Sequence, residues 1–385
     1  MSDKAASNVA DVLASGFIGE GPQVKAFESE LSNFFQAHRS NTDIITVNSA
    51  TSAEHLIYHT LKSDRKFVKT YEWGQSIVNW PALEPDDEVL STALTCTATN
   101  WPIINEGLNL RWVDVDPLTL NMSIEDLANK IDKKTRVVTV VHWGGNPIDM
   151  ARLEAVVRKA EEEYGRPIMI VEDCAHSFGG KYEDGRYIGF RGNFATFSLQ
   201  AIKHITSVDG GFIVSPYQSF TKEAKLLRWY GIDREGPRAD FRCEADIPEA
   251  GYKYHMNDVS AAVGRANLAE ADHILERYRS NGEFYERALK GVDGVTLTSK
   301  LGTPAYWLYS MHVEDRDNFM KYMNENGVAT SRVHERNDLH TCTAPYRTDL
   351  PGVDKAVSTM ISIPVGFWVT DEDREYIVDL IKKGW

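Results

Sequence analysis

The sequence predicts an α/β fold: a large domain built on a mostly parallel sheet between helices, followed by a smaller α+β domain. Three observations predict it. Short apolar runs recur between residues 44 and 215. Helix-like stretches separate most of them. The pattern then changes near residue 255, where a long helical stretch begins.

The apolar runs are IITVNS (44–49), EVLSTA (88–93), LRWVDVD (110–116), RVVTVVHW (136–143), IMIVED (168–173), FATFSL (194–199) and GGFIVS (210–215). They are rich in Val, Ile, Thr and Phe, and several are apolar throughout. That suits strands covered on both faces, as in a parallel sheet. Between them SAEHLIYHTLK, SIEDLANKI and ARLEAVVRKAEEEYG read as helices. Residues 62–87, KSDRKFVKTYEWGQSIVNWPALEPDD, fit no simple period and read as an inserted or elongated surface segment. NDVSAAVGRANLAEADHILERYRSNGEFYERALKG reads as one long helix or two, with Asn257 or Asp258 as N-cap and Gly291 as the stop. The expected division is 1–255, an N-terminal segment and large domain, and 256–385, a long connecting helix and small C-terminal domain.

Composition narrows the function. The chain has 385 residues, 42% hydrophobic and 25% charged, with a net charge of −14. That charge opposes non-specific binding to nucleic acid and docking on an anionic membrane surface. It does not oppose a phosphorylated small ligand, whose site is built locally. The cysteines Cys96, Cys174, Cys243 and Cys342 show no CxxC pair, which argues against a disulfide framework or a zinc site. The N-terminus MSDKAASNVADVL lacks a basic region followed by an apolar one, and no run of 18 apolar residues occurs. A cytoplasmic location is the expectation.

Three short stretches carry candidate chemistry. VEDCAH places Glu172 and Asp173 at the end of an apolar run, where ligands gather in open α/β sheets. The plainer reading of Asp173 is a helix N-cap or a turn aspartate. NSATSAEH opens a helix with small residues, Ser49 to Ala53, and such a start can cup a phosphate. The plainer reading is N-capping by Ser49 or Thr51. FSLQAIKHITSVDGG places Lys203 between an apolar run and the pair Gly210 and Gly211. A partly desolvated lysine is a nucleophile toward aldehydes, whereas a surface lysine simply snorkels. A cup, a strand-end acid and a lysine 30 residues after it together match what pyridoxal 5′-phosphate (PLP) requires.

The order of motifs resembles the DegT/DnrJ/EryC1/StrS family of PLP-dependent sugar aminotransferases. SGFIGEGPQVKAFESEL looks like the family's N-terminal segment, VNSATSAEHL like its phosphate loop, and DDEVLSTALTCTATNWPI like its GDEVI…TFVAT block. VVHWGGNPIDM, VEDCAHSFGG, FSLQAIKHITSVDGG, LRWYGIDR and GYKYHMNDVSAAVG follow in the family's order. The resemblance spans nearly the whole chain. It implies fold type I, the aspartate aminotransferase-like fold, with a seven-stranded sheet. It implies that Lys203 forms the Schiff base and shuttles the proton, and that Asp173 pairs with the pyridinium nitrogen. Ser198, Thr51 and the backbone near Ala50 and Ser52 would hold the phosphate. Gly210 and Gly211 would permit a tight turn and close backbone approach. It further implies a nucleotide-sugar substrate, an amino-acid donor such as L-glutamate, and a homodimer with shared active sites.

Several positions depart from the family pattern. His176 stands where a glutamine usually contacts the cofactor's 3′-oxygen; imidazole can donate a hydrogen bond there, or be satisfied in the core by a carbonyl. Cys96 replaces an aromatic residue that stacks on the ring, and is expected beside the cofactor; Trp101 or Trp143 would then supply a ring face, or lie in the core. Lys253 replaces an asparagine that reaches the partner's phosphate, and His255 replaces an arginine. Some members of the superfamily are sugar dehydratases with histidine in place of the Schiff-base lysine. Here Lys203 takes the aligned position and His204 is its neighbour, which favours transamination, for example by a perosamine synthase acting on GDP-4-keto-6-deoxymannose. A dehydratase and a non-catalytic PLP-fold regulator are the alternatives. A metal site on His334, His340 and Cys342 has no recognised ligand spacing.

Overall fold

Each of the seven apolar runs forms a strand. The structure, a computed structural model, describes residues 1–71, 74–234, 236–237, 240 and 246–385. Cys243 and residues 72–73 of the 62–87 segment lie outside the described residues. The strands are β1 (Asp43–Val47), β2 (Arg65–Tyr71), β3 (Gly74–Trp80), β4 (Glu88–Thr92), β5 (Asn109–Val113), β6 (Thr135–Val141), β7 (Met169–Asp173), β8 (Phe194–Ser198), β9 (Gly211–Ser215), β10 (Val295–Leu297), β11 (Tyr309–Val313) and β12 (Met360–Ile363). Seven of them make one sheet in the order β1-β9-β8-β7-β6-β4-β5, and β10-β11-β12 make a smaller one. In the large sheet β9 runs antiparallel to β1 and β8, while β4, β5, β6 and β7 pair in parallel. The mostly parallel seven-stranded sheet expected for fold type I is therefore present. Every residue of β6, β7, β8 and β9 is buried, which is why these strands read as unbroken apolar runs.

Contacts gather the chain into two compact units. The first is Met1–Pro85, Pro102–Gly107 and Gly189–Glu270; the second is Asp86–Trp101, Leu108–Ile188 and Ala271–Trp385. The units interleave along the chain, so neither is one continuous stretch.

In the first unit the helix Ala50–Leu61 packs on β8 and β9. Phe197 and Phe212, adjacent across β8 and β9, stack at 4.6 Å, and Phe35 lies 4.7 Å from Phe190. The segment that fitted no period is an antiparallel hairpin of β2 and β3, packed on the helix Gln218–Leu227. Phe67 and Trp80 anchor it, and most of β3 is exposed, so no two-residue alternation survives. The helices Ala5–Ser15 and Pro22–Phe34 pack on Asp258–Leu268. Asn257 is the N-cap of that last helix, accepting from Ser260 N–H at 2.9 Å.

In the second unit the helix Met150–Tyr164 begins at the N-cap Asp149 and ends at Gly165 in the left-handed region. The long helical stretch after residue 255 is two helices, Asp258–Leu268 and Ala271–Ala288, and the second of these belongs to this unit. It packs against Asp371–Lys383, which starts in a capping box of Thr370 and Asp373.

Asp258 does more than open its own helix. Its buried carboxylate accepts the backbone N–H groups of Gly21, Gln23 and Val24 at 2.9, 3.2 and 3.0 Å. The helix Pro22–Phe34 has glycine as its N-cap and takes its cap from this distant side chain. Asp258→Ala leaves those donors without their acceptor and is expected to cost about 2 kcal/mol. A lower urea midpoint with an unchanged slope checks it.

Candidate active site

In the first unit the chain passes from β1 straight into a helix. Ser49 is extended, and its hydroxyl accepts the Ser52 N–H at 3.1 Å, so Ser49 is the N-cap. Ala50, Thr51 and Ser52 form the first turn of Ala50–Leu61. The N–H groups of a first helical turn lack intrahelical acceptors and carry the positive end of the helix dipole. Gly211 makes this start possible. A Cβ there would lie 2.5 Å from Ala50 N and 2.6 Å from Ser49 C, so the approach requires glycine.

Ser198 ends β8 opposite Gly211 in the strand register, which brings it to the same cup. Its hydroxyl accepts the Gln200 N–H at 3.3 Å. Lys203 follows in the next turn, half-buried, its N–H donating to Gln200 O at 2.9 Å, while His204 is buried. The extended segment carrying Lys253 is tied to the residue that precedes the cup. Asn48 N–H donates to Tyr254 O at 2.7 Å and Asn48 Nδ2 to Lys253 O at 3.2 Å. The Lys253 side chain is exposed. His255 packs on Trp229 with ring centroids 3.6 Å apart. Burial, then the charges of Lys253, Arg228 and Arg234, push its pKa down to about 4. Where the family pattern has a permanently charged arginine, this chain holds an imidazole that is neutral at neutral pH.

In the second unit Asp173 closes β7 and is 5% exposed. Its carboxylate accepts the Thr99 hydroxyl at 2.6 Å and the Ala175 N–H at 2.9 Å. The second bond is the turn-aspartate arrangement, so the plainer sequence reading also describes part of the geometry. Among the described residues no cationic side chain pairs with Asp173. Thr99 is bonded in turn to Thr95 at 2.9 Å. Cys96 is half-buried just before the helix Thr97–Asn105, its C=O accepting the Thr99 N–H at 3.2 Å. His176 Nδ1 accepts the Gly144 N–H at 3.3 Å, which puts the proton of the neutral ring on Nε2 as a donor. The ring stacks on Trp307 at 4.0 Å and 18°, with His334 parallel at 5.9 Å. Trp143 is buried edge-on to His176, and Trp101 lies edge-on to His340.

His334, His340 and Cys342 do not converge. Among the described residues one group has metal-ligand spacing: His142, Glu172 and Cys174, all buried, within 4.8 Å of one another. His142 Nδ1 accepts the Ile148 N–H at 3.2 Å, and its Nε2 faces Glu172 at 3.0 Å. Tyr182 also donates to Glu172. These groups satisfy one another as a hydrogen-bonded cluster. No disulfide joins Cys96, Cys174 or Cys342, and no helix among the described residues is long and apolar enough to cross a membrane.

Sequence reasoning missed Thr99, Trp307 and a cluster around Glu106. The available signals were Thr95 and Thr99 one helical turn apart, and His55 and His59 at the same spacing. Burial opposes ionisation of Glu106, but the adjacent His55, His59 and Lys62 hold its carboxyl far below the usual carboxylate range. The Glu106 carboxylate, 3.6 Å from Nδ1, raises the pKa of His59 above its ordinary 6.5, against desolvation. A raised folded-state pKa stabilises the fold while the ring is charged. That stability is fully present below pH 6.5 and is lost as pH rises through the raised value. The stability difference between the wild type and His59→Gln is therefore expected to be largest below that pH and to shrink above it. Urea titrations across pH measure it; a difference that grows with pH contradicts the assignment.

The whole chain can be set beside known proteins. The model of the DegT/DnrJ/EryC1/StrS aminotransferase family matches residues 1–382. The sugar aminotransferase CalS13 from Micromonospora echinospora is 39% identical, with 100% of this chain and 98% of that one covered and a TM-score of 0.90. AtS13 from Actinomadura melliaura is 40% identical, with 100% and 96% covered and a TM-score of 0.90. The PLP-form of Spr1654 from Streptococcus pneumoniae is 26% identical, with 100% and 96% covered and a TM-score of 0.84. A match over nearly the full length of the chain, on the fold and residues described above, makes this protein a member of the DegT/DnrJ/EryC1/StrS aminotransferase family.

Proposed function

We propose that the protein is a PLP-dependent sugar aminotransferase that moves an amino group from an amino acid, L-glutamate, to the keto group of a nucleotide-linked deoxysugar. One observation carries the reading: a buried carboxylate, Asp173, ends a strand of a mostly parallel sheet with neutral hydrogen-bond partners and no cation among the described residues. Such a carboxylate is suited to a ligand that brings its own positive charge, as a pyridinium does. The donor set fits the rest of the cofactor. The N–H groups at Ala50 and Thr51 and the hydroxyls of Ser52 and Ser198 suit a phosphate dianion. Similarity to the sugar aminotransferase CalS13 supports the sugar as acceptor.

Each residue then has a role. The bound cofactor supplies an electron sink for the pair left at the donor's Cα. Asp173 holds the proton on the pyridine nitrogen. Lys203 Nζ is the covalent attachment point and carries a proton to and from Cα. His176 offers its Nε2–H to the ring oxygen, and Cys96 borders the ring. Lys253, exposed on its segment, binds phosphate as a point charge. A homodimer with shared sites, a cytoplasmic location, and a functional division at 255/256 belong to the same proposal. GDP-4-keto-6-deoxymannose heads the acceptors to be tried.

The test is spectroscopic. Purified protein with PLP should develop the visible band of the lysine-bound cofactor, lose it on adding L-glutamate, and regain it with the correct keto sugar. Lys203→Ala should lack the band and turn over at least about 10²–10⁴-fold more slowly, the usual worth of a positioned acid–base group. Wild-type turnover in Lys203→Ala overturns the reading. Ammonia release with a deoxygenated product moves it to dehydration.

A further inference from the structure

Glu106 has no role in the reaction proposed above, yet five side chains of the first unit converge on it or on its partners. It is 7% exposed. His55 Nε2 lies 2.8 Å from its carboxylate, Lys62 Nζ 2.9 Å, the Tyr252 hydroxyl 3.0 Å and His59 Nδ1 3.6 Å. His55, His59 and Lys62 fall on one face of the helix Ala50–Leu61 and its C-cap, spaced by one and then two turns. The opposing face is the segment 252–255. Tyr252 and Tyr254 are alternate residues of this extended stretch, and their rings stack at 4.7 Å and 2°. Tyr254 Oη meets His55 Nδ1 at 2.7 Å, and Tyr252 Oη meets His59 Nδ1 at 2.8 Å.

The donors can be ordered without conflict. Tyr254 O–H donates to His55 Nδ1, and His55 Nε2–H donates to Glu106. Protonated His59 donates from Nδ1 to Tyr252, whose O–H donates to Glu106, and from Nε2 to Glu249 at 3.0 Å. Two parallel rungs thus bolt the segment 252–254 to the cup helix, and both end on one carboxylate. The same segment is bolted to the entry of the cup by the two hydrogen bonds of Asn48 to Lys253 O and Tyr254 O. The turn Ser49–Ser52 is therefore held at the strand that enters it and along the helix that leaves it.

We propose that Glu106 is a positioning residue for the phosphate cup: through His55–Tyr254 and His59–Tyr252 it fixes the orientation of the N–H donors at Ala50 and Thr51. The proposal rests on the reading that this cup takes the phosphate of PLP. It makes a claim about the phosphate alone, and pyridoxal, which has the same ring and aldehyde without a phosphate, separates that claim from the rest of the site.

The experiment titrates apo-protein with PLP and with pyridoxal, following the visible band and the heat of binding, in the wild type, Glu106→Gln and Tyr254→Phe. Glu106→Gln is expected to weaken PLP by about tenfold, the scale of a charge-assisted hydrogen bond, and Tyr254→Phe by about threefold. Pyridoxal affinity should stay within about twofold in both, well inside the hydrogen-bond scale. Equal losses for the two ligands, or no loss for PLP, overturn the proposal. If Glu106→Gln fails to fold, Tyr254→Phe, which removes one hydroxyl, decides on the same criterion. A wild type that binds neither ligand overturns the cofactor reading itself, and this proposal with it.

Discussion

The second unit is organised around a carboxylate without a countercharge. Removing Asp173 from water carries a desolvation cost that two neutral donors only partly offset. The fold spends a chain of buried polar groups on keeping it in place. Thr99 bonds to Asp173 and to Thr95, and the Thr95 C=O accepts from Asn337 Nδ2 at 2.9 Å. Asn337 is fully buried and also bonds Ala93 O and Asn100, so the loop after β4 and the segment around 337 are locked together. Each member of this network is satisfied, which is the condition under which buried polar groups rigidify a site. Strand alternation turns the neighbouring Glu172 to the other face, where His142 and Tyr182 receive it. Two adjacent carboxylates thus point apart, and each has its own environment.

For the proposed phosphate, the first unit offers backbone donors instead of charge. Its donors are the N–H groups of a helix start, and their placement depends on the absence of a side chain at Gly211. The nearby basic positions are weaker than the family pattern suggests. His255 is neutral under the combined effect of burial and three cations, and Lys253 reaches outward from an exposed position.

Most of the fold was legible because its strands are buried on both faces. Runs such as RVVTVV and FATFS could hardly be anything else, and each emerges as a strand. The hairpin β2–β3 was not legible, since among its described residues Phe67 and Trp80 are the buried side chains and most of β3 faces solvent without a period. The cup and the strand-end acid could be read because backbone geometry dictates their residue types: small residues at a helix start, glycine at a close approach, a carboxylate at a strand end. Their partners could not. Thr99 and Trp307 are ordinary residues whose role comes from a neighbour distant in sequence. Glu106 carries no local signal, because nothing near it in sequence announces that Tyr252, about 150 residues later, will cover it.

The helix Ala50–Leu61 reconciles a net charge of −14 with the proposed binding of a doubly charged phosphate. Its dipole is complemented at both ends. The proposed phosphate sits at the positive N-terminus, and His59 and Lys62 stand at the negative C-terminus. The half-buried His59 needs a counterion of its own, and Glu106 is that counterion for it and for the exposed Lys62. Its charge is offset where it lies, by His59 and Lys62. The acidic surface acts at still longer range and is screened by salt over about 8–10 Å. Affinity for the proposed phosphate is a property of one helix and the groups at its two ends, which is why an overall charge that opposes polyanionic partners does not oppose a phosphate.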